Sequence, residues 1–205
     1  AVPEGAVRRR VAVPQIGPVK QHHARGQRLA GVAQAQHGAK GDIRTGGSPA
    51  DRDPVGIDRH LLRLGTIPAD LAGLLRAAMR AQLNICISGG TGTGKTTFLT
   101  ALASEIDPQD RVVTVEDTPE LRLDHLPNWI ALVTREAGED TREVTMADNV
   151  RHCLRMRPRR ILLGEARGPE VMAILQAMNT GHDGTLFTVH ADDAYRSLQR
   201  IEDLY

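Results

Sequence analysis

Eight consecutive residues carry the strongest chemical signal in this chain. Gly89-Gly90-Thr91-Gly92-Thr93-Gly94-Lys95-Thr96 fits the phosphate-loop pattern G-x-x-x-x-G-K-[ST]. Glycines at those places let successive backbone N–H groups turn toward a polyphosphate. A helix opening at the lysine adds unpaired donors and a positive dipole end. In this pattern Lys95 reaches the β- and γ-phosphates, and Thr96 places its hydroxyl on Mg²⁺.

Three further polar positions end apolar runs. Glu116 and Asp117 follow Arg111-Val112-Val113-Thr114-Val115, Glu165 closes Arg160-Ile161-Leu162-Leu163-Gly164, and His190 closes Thr185-Leu186-Phe187-Thr188-Val189. One acid of the 116–117 pair could polarise an attacking water while the other orients it or holds a Mg²⁺-bound water. The plainer reading is a helix-capping Asp beside a surface Glu. Glu165 suits the acid of a second nucleotide motif, although the more usual pattern has Asp where this chain has Gly164. A ring N–H of His190 could sense a γ-phosphate, against a purely structural strand-end histidine. His182, between Gly181 and Gly184, reads as part of a turn. Arg135, Arg155, Arg157, Arg159, Arg160 and Arg167 outnumber what one active site needs, so most must be solvated or paired.

The segments between these residues dictate the scaffold. Ile85-Cys86-Ile87-Ser88 before the glycine loop and Thr97-Phe98-Leu99-Thr100-Ala101-Leu102 after it read as strand, loop and helix. Ahead of them a helix starts with Pro68 at its first position and Asp70 in its first turn, and Leu71, Leu74, Leu75 and Ala78 share one face. Trp129 to Val133 reads as a strand. Thr145-Met146-Ala147-Asp148 has the form of a capping box, leading a helix with Met146, Val150, Cys153 and Leu154 on one side. That helix stops before Pro158, and another carries Val171, Ile174, Leu175 and Met178. Apolar strands alternating with helices predict an α/β fold whose parallel sheet is covered on both faces. Ligands bind at the carboxyl edge of such sheets, so Lys95, Glu116, Glu165 and His190 should converge on one crevice.

Composition bounds the rest. The 205 residues allow one domain of ordinary size, and 26 Lys+Arg against 25 Asp+Glu give no charge signal for a nucleic-acid or lipid partner. Residues 1–58 contain no aromatic residue, five prolines and no sustained periodicity, which predicts little packed core there. Arg8-Arg9-Arg10 near His22-His23 reads as a solvated tail more readily than as a nucleic-acid arm. Cys86 and Cys153 are isolated in apolar segments and suit reduced core thiols. No apolar run approaches the roughly 18 residues of a membrane span and no signal-peptide pattern opens the chain, which implies a cytoplasmic compartment.

Taken in order, the motifs resemble the type II/IV secretion-system ATPases, and most closely the CpaF-like ATPases of tight-adherence (Flp) pilus assembly. The likeness runs from about Asp53 to Tyr205, through Leu64-Gly65-Thr66, Ala81-Gln82-Leu83-Asn84-Ile85 and the phosphate loop, or Walker A. Val115-Glu116-Asp117-Thr118-Pro119-Glu120-Leu121 is similar to the family's Asp box. Arg155-Met156-Arg157-Pro158 introduces Ile161 to Gly168, similar to its atypical Walker B, while Gln176 to Gly184 and Thr188-Val189-His190-Ala191 resemble its His box.

The resemblance implies a RecA-like P-loop NTPase core over residues 59–205, preceded by an unassigned segment 1–58. It also implies a homo-hexamer at the cytoplasmic side of the inner membrane, held there by a platform protein, that turns ATP hydrolysis into pilin assembly or protein export. Carried over, Gly89, Gly90, Thr91, Gly92, Thr93, Gly94, Lys95, Thr96 and Thr97 bind ATP. Thr96 and Glu165 serve Mg²⁺ directly or through water, Glu116 is the favoured general base, and His190 couples the γ-phosphate to subunit geometry. Arg135 falls where family members place an arginine facing the neighbouring subunit's nucleotide.

In the family, an N-terminal domain covers the nucleotide and further helices follow the His box. Residues 1–50 lack that domain's pattern, and the chain stops within the next helix, so the expectation is a truncated core, with a non-catalytic module joining full-length subunits as the alternative. A GTPase reading lacks its Asn-Lys-x-Asp string, and a small-molecule kinase gives no reason for the acid pairs and the His box.

Overall fold

A computed structural model describes residues 55–204. Readings that fall on residues 1–54, including the basic tail, lie outside the described residues. The described chain opens with a π-helical turn, Ile57–Leu62, whose Ile57 and Leu61 are buried. The packed core therefore already includes a residue ahead of position 59.

Helices and strands then alternate: α1 (Ala69–Arg80), β1 (Ile85–Gly89), α2 (Lys95–Ala103), β2 (Val112–Glu116), β3 (Trp129–Val133), α3 (Met146–Leu154), β4 (Arg160–Ala166), α4 (Glu170–Asn179), β5 (Leu186–His190) and α5 (Ala194–Asp203). All strand pairs are parallel, in the order β1-β5-β4-β2-β3. The expected parallel α/β sheet is thus present. Because successive side chains of a strand point to opposite faces, each inner strand feeds two cores. Val112, Leu162 and Leu186 join α1, α2 and the π-helical turn on one face. Val113, Ile161, Leu163 and Phe187 join α3 and α4 on the other. That two-sided burial explains why these strands read as continuous apolar runs.

Local signals set most boundaries. Thr145 Oγ1 accepts the Asp148 N–H at 3.1 Å while Asp148 Oδ2 accepts the Thr145 N–H at 3.2 Å, so the capping box at α3 is formed. The Thr145 hydroxyl also donates to Asp148 Oδ2 at 2.9 Å, and that bond, with the one from the Thr145 N–H, holds the Asp148 carboxyl below the ordinary range. Two readings of α1 need correction. Pro68 is the N-cap, extended at ψ 162°, with the helix beginning at Ala69. Leu74 is 64% exposed, and Ala72 and Met79 are the fully buried positions, with Leu71 and Leu75 packed beside them. The buried stripe is rotated relative to the stripe of large side chains because Ala72 fits close to the core where a leucine would not.

Both cysteines are free; Cys153 is buried and Cys86 partly so. Burial pushes each thiol up to about 12, which keeps them protonated and unreactive at neutral pH.

Candidate nucleotide site at the carboxyl edge of the sheet

The carboxyl ends of β1, β2, β4 and β5 open onto one cleft of about 970 Å³. Its lining includes Thr91 to Thr97, Glu116, Asp117, Glu165 and His190. Lys95, Glu116, Glu165 and His190, separated by up to 95 residues of chain, therefore share one cavity, as the parallel topology required. Arg135 does not line it. That residue lies past β3 in a short antiparallel excursion, bridged through its backbone to Val144, with its guanidinium on the Arg142 carbonyl at 3.0 Å. His182 lies at the opposite end of the sheet, in the turn between α4 and β5, as the flanking glycines suggested.

The phosphate loop is shaped by its glycines and closed by its own side chains. Gly94, the N-cap of α2, has φ 89°, a left-handed conformation that a side chain would strain. Thr93 Oγ1 donates to the Gly90 carbonyl at 2.8 Å. The Lys95 ammonium donates to the carbonyls of Gly89 and Gly90, at 3.0 and 2.9 Å. Those carbonyl partners are exchangeable, since phosphate oxygens would accept the same protons with the gain of opposite charge. His190 faces the loop from β5, its Nδ1 3.4 Å from Thr91 Oγ1.

The two principal acids sit in different surroundings. Glu116 is 2% exposed. Its Oε1 accepts the N–H groups of Glu120 and Leu121, both at 2.9 Å, whereas its buried Oε2 has no partner. Burial raises its pKa above the ordinary glutamate value, against the lowering effect of those two N–H bonds. A buried carboxylate with one unengaged oxygen is suited to accept a proton. Glu165 is tied down: its Oε2 accepts Nε and Nη2 of Arg167 at 2.9 and 2.5 Å. Arg167 also lies 3.8 Å from Asp117 Oδ2, so it spans the mouth between the ends of β4 and β2. Its hydrogen bonds to Glu165 raise its own pKa, fixing its positive charge.

Arg167, Glu170 and Arg200 line the cleft although sequence reasoning did not single them out as site residues. Arg167 was legible only as one arginine among six. Glu170, almost fully buried, accepts the Arg167 and Gly168 N–H groups at 2.6 and 2.8 Å and thereby shapes the turn into α4. Arg200 reaches the cleft from α5, and among the described residues its side chain has no ion pair or hydrogen bond.

Among the described residues no group of three or more His, Cys, Asp or Glu side chains is placed to hold a metal ion, so the cleft offers a divalent cation only part of a ligand set. Five acids (Glu116, Asp117, Glu120, Glu165 and Glu170) face three cations (Lys95, Arg167 and Arg200), so the cleft is net acidic. A polyphosphate entering it needs added positive charge. The hydroxyl of Thr96 and the carboxylate of Glu165 are the oxygen ligands that Mg²⁺ prefers.

Comparison with known proteins agrees with this geometry. The family model described as "Type II/IV secretion system protein" matches residues 52–205. A putative conjugal transfer protein of Mycobacterium tuberculosis is 44% identical over 145 residues, which are 70% of this chain and 41% of that protein. The type IV secretion system protein PtlH of Bordetella pertussis is 45% identical over 128 residues, 62% of this chain and 38% of that one. Among solved structures, the VirB11 ATPase of the Brucella suis type IV secretion system, in complex with sulphate, aligns with TM-score 0.61 and 36% identity. It covers 70% of this chain, which in turn spans 41% of that protein. The Legionella pneumophila ATPase DotB aligns with TM-score 0.54 and 28% identity over 70% of this chain and 39% of its own. The chain thus spans about two-fifths of the length of these four relatives.

Proposed function

The chain belongs to the type II/IV secretion system protein family, and from that premise we propose that its cleft binds and hydrolyses ATP to drive a secretion or pilus-assembly machine. One observation carries the reading: the phosphate loop, the buried Glu116, Glu165 and His190 meet in a single cavity at the carboxyl edge of a parallel sheet. The names of its relatives, an ATPase from a type IV secretion system and the ATPase DotB among them, support the same class.

In this reading the N–H groups of Gly89 to Thr97 cradle the phosphates, and the Lys95 ammonium exchanges the Gly89 and Gly90 carbonyls for phosphate oxygens. Glu116 takes the proton of the attacking water through its free oxygen. Bound Mg²⁺, held by Thr96 and by Glu165 directly or through water, supplies charge neutralisation. Arg167 engages only Oε2 of Glu165, so Oε1 would serve the cation with that ion pair intact. His190, already beside Thr91, reports the terminal phosphate to the end of β5. Arg135, exposed and outside the cleft, would in this reading be the candidate to act on a neighbouring subunit's nucleotide. We assign the working unit as a homo-hexamer docked on an inner-membrane platform protein, of the CpaF-like, pilin-assembling type. No helix among the described residues is long and apolar enough to cross a membrane.

The test is phosphate release by the purified chain with Mg-ATP and Mg-GTP over a range of protein concentrations. Turnover with ATP that rises with concentration supports a motor subunit. Tight Mg-ATP binding with no turnover at any concentration favours the alternative, a nucleotide-binding module that joins full-length subunits.

A further inference from the structure

Position 164, where the usual second nucleotide motif has Asp, is a glycine whose absent side chain is filled by Glu116. β2 and β4 pair in register up to Val115 and Leu163, which makes Glu116 and Gly164 the next neighbours across the sheet. A Cβ on Gly164 would lie 3.1 Å from Glu116 Cγ and 3.7 Å from its Oε1. Carbon pairs are at rest near 3.5–4.0 Å, so one of the two groups would have to move.

Neither side is free to give way. Glu116 Oε1 is fixed by the N–H groups of Glu120 and Leu121, and Leu121 is itself buried in the core. The Gly164 carbonyl accepts the hydroxyl of buried Thr188 at 2.6 Å, which ties that stretch of β4 to β5. The register between β4 and β5 shifts between Leu163 and Ala166, so Gly164 lies in the irregular stretch that closes the sheet edge. Gly164 does not adopt the left-handed conformation, so the need for glycine there is one of space.

We infer that Gly164 is a positioning residue for Glu116: its missing Cβ is what allows the carboxylate to lie against the sheet, bonded through Oε1 and open through Oε2. This rests on the reading of Glu116 as the base. It carries an unexpected consequence, that restoring the usual Asp at 164 would damage the site. A second carboxylate there would collide with Glu116 and place like charge beside a buried acid.

The test compares Gly164→Ala, Gly164→Asp and Glu116→Gln in the full chain. Three readouts are taken: affinity for a fluorescent ATP analogue with Mg²⁺, kcat for phosphate release, and the amide NMR signals of Glu120 and Leu121 without nucleotide. For Gly164→Ala the expected result is affinity within about threefold of wild type and kcat about threefold to tenfold lower, since a shift of a few tenths of an ångström falls short of the full ångström that costs about 10²-fold. Both amide signals move, because their shared acceptor has shifted. Gly164→Asp loses at least as much, and if it fails to fold the alanine variant decides. Should the wild-type chain show no turnover, the amide signals decide alone. Unmoved amide signals in Gly164→Ala, or wild-type kcat in both glycine variants while Glu116→Gln is inactive, overturn the inference. Wild-type kcat in Glu116→Gln instead overturns the role of Glu116 itself.

Discussion

The two ends of the sheet use the same residue types for opposite purposes. At the amino end, Arg160 opens β4 almost fully buried, with its Nε on Asp110 Oδ2 at 3.1 Å and its Nη2 on the Met79 carbonyl at 2.9 Å. Beside it Asn84 Oδ1 accepts the Thr185 N–H at 2.9 Å, and Gly184 leaves the room that the guanidinium occupies. These bonds tie α1, β4, β5 and the segment before β2 together, and opening them means separating elements. At the carboxyl end, Lys95 rests on loop carbonyls, Arg167 and Glu165 pair at an open mouth, and Glu116 keeps one oxygen unengaged. A ligand can replace those bonds without disturbing the core. Burial and polarity alone do not separate the two ends; what the partners belong to does.

The contrast is broken most severely by exchanging a single atom at Glu116. Glu116→Gln should lower kcat by about 10²–10⁴-fold, the range for a lost general base, with nucleotide affinity nearly unchanged. Phosphate release and fluorescent-nucleotide titration measure the two separately. Arg160→Ala should do the reverse. Removing one partner of a buried pair costs about 3–5 kcal/mol, a loss of about 6–20 °C in Tm for a chain of this size, while the folded fraction still binds nucleotide. Calorimetry alongside the same titration checks it.

Smaller effects sharpen the picture. Burial raises the Glu116 pKa, so its contribution to stability is fully present below the unfolded glutamate value and is lost as pH rises through the folded one. Glu116→Gln should therefore raise Tm at neutral pH by a few degrees, about 2–4 °C for each kcal/mol, and flatten the decline with rising pH. A Tm series from pH 4 to 8 on both proteins reads this directly. Thr145→Ala removes the side-chain half of the α3 cap. It should cost about 1 kcal/mol by denaturant unfolding. Asp148, depressed in pKa by the same cap, contributes stability present above the unfolded Asp value and lost as pH falls through the folded one. In Thr145→Ala that acid limb should weaken.

What could be read before the fold was known follows the range of each interaction. The phosphate loop, the capping box and the inner strands are local patterns, and the convergence of Lys95, Glu116, Glu165 and His190 follows from a general rule about parallel sheets. The strand order β1-β5-β4-β2-β3 is a long-range outcome that alternation of strands and helices does not encode. Helical spacing gave α1 an apolar stripe but not its centre, since Ala72 carries little hydrophobic weight and yet marks the closest packing. The π-helical turn rests on only two buried residues, Ile57 and Leu61, too short a period to register. Gly164 looked like a departure from a motif, and its reason appears only when Glu116 is seen across the sheet.

The central claim is that the carboxyl-end cleft is the nucleotide site, and nucleotide titration of Lys95→Ala tests it most directly. With Mg²⁺ present, loss of the charged donor to phosphate should weaken binding about tenfold to hundredfold relative to wild type, with an unchanged thermal unfolding profile in the absence of nucleotide. Equal affinity in the two proteins would contradict the account.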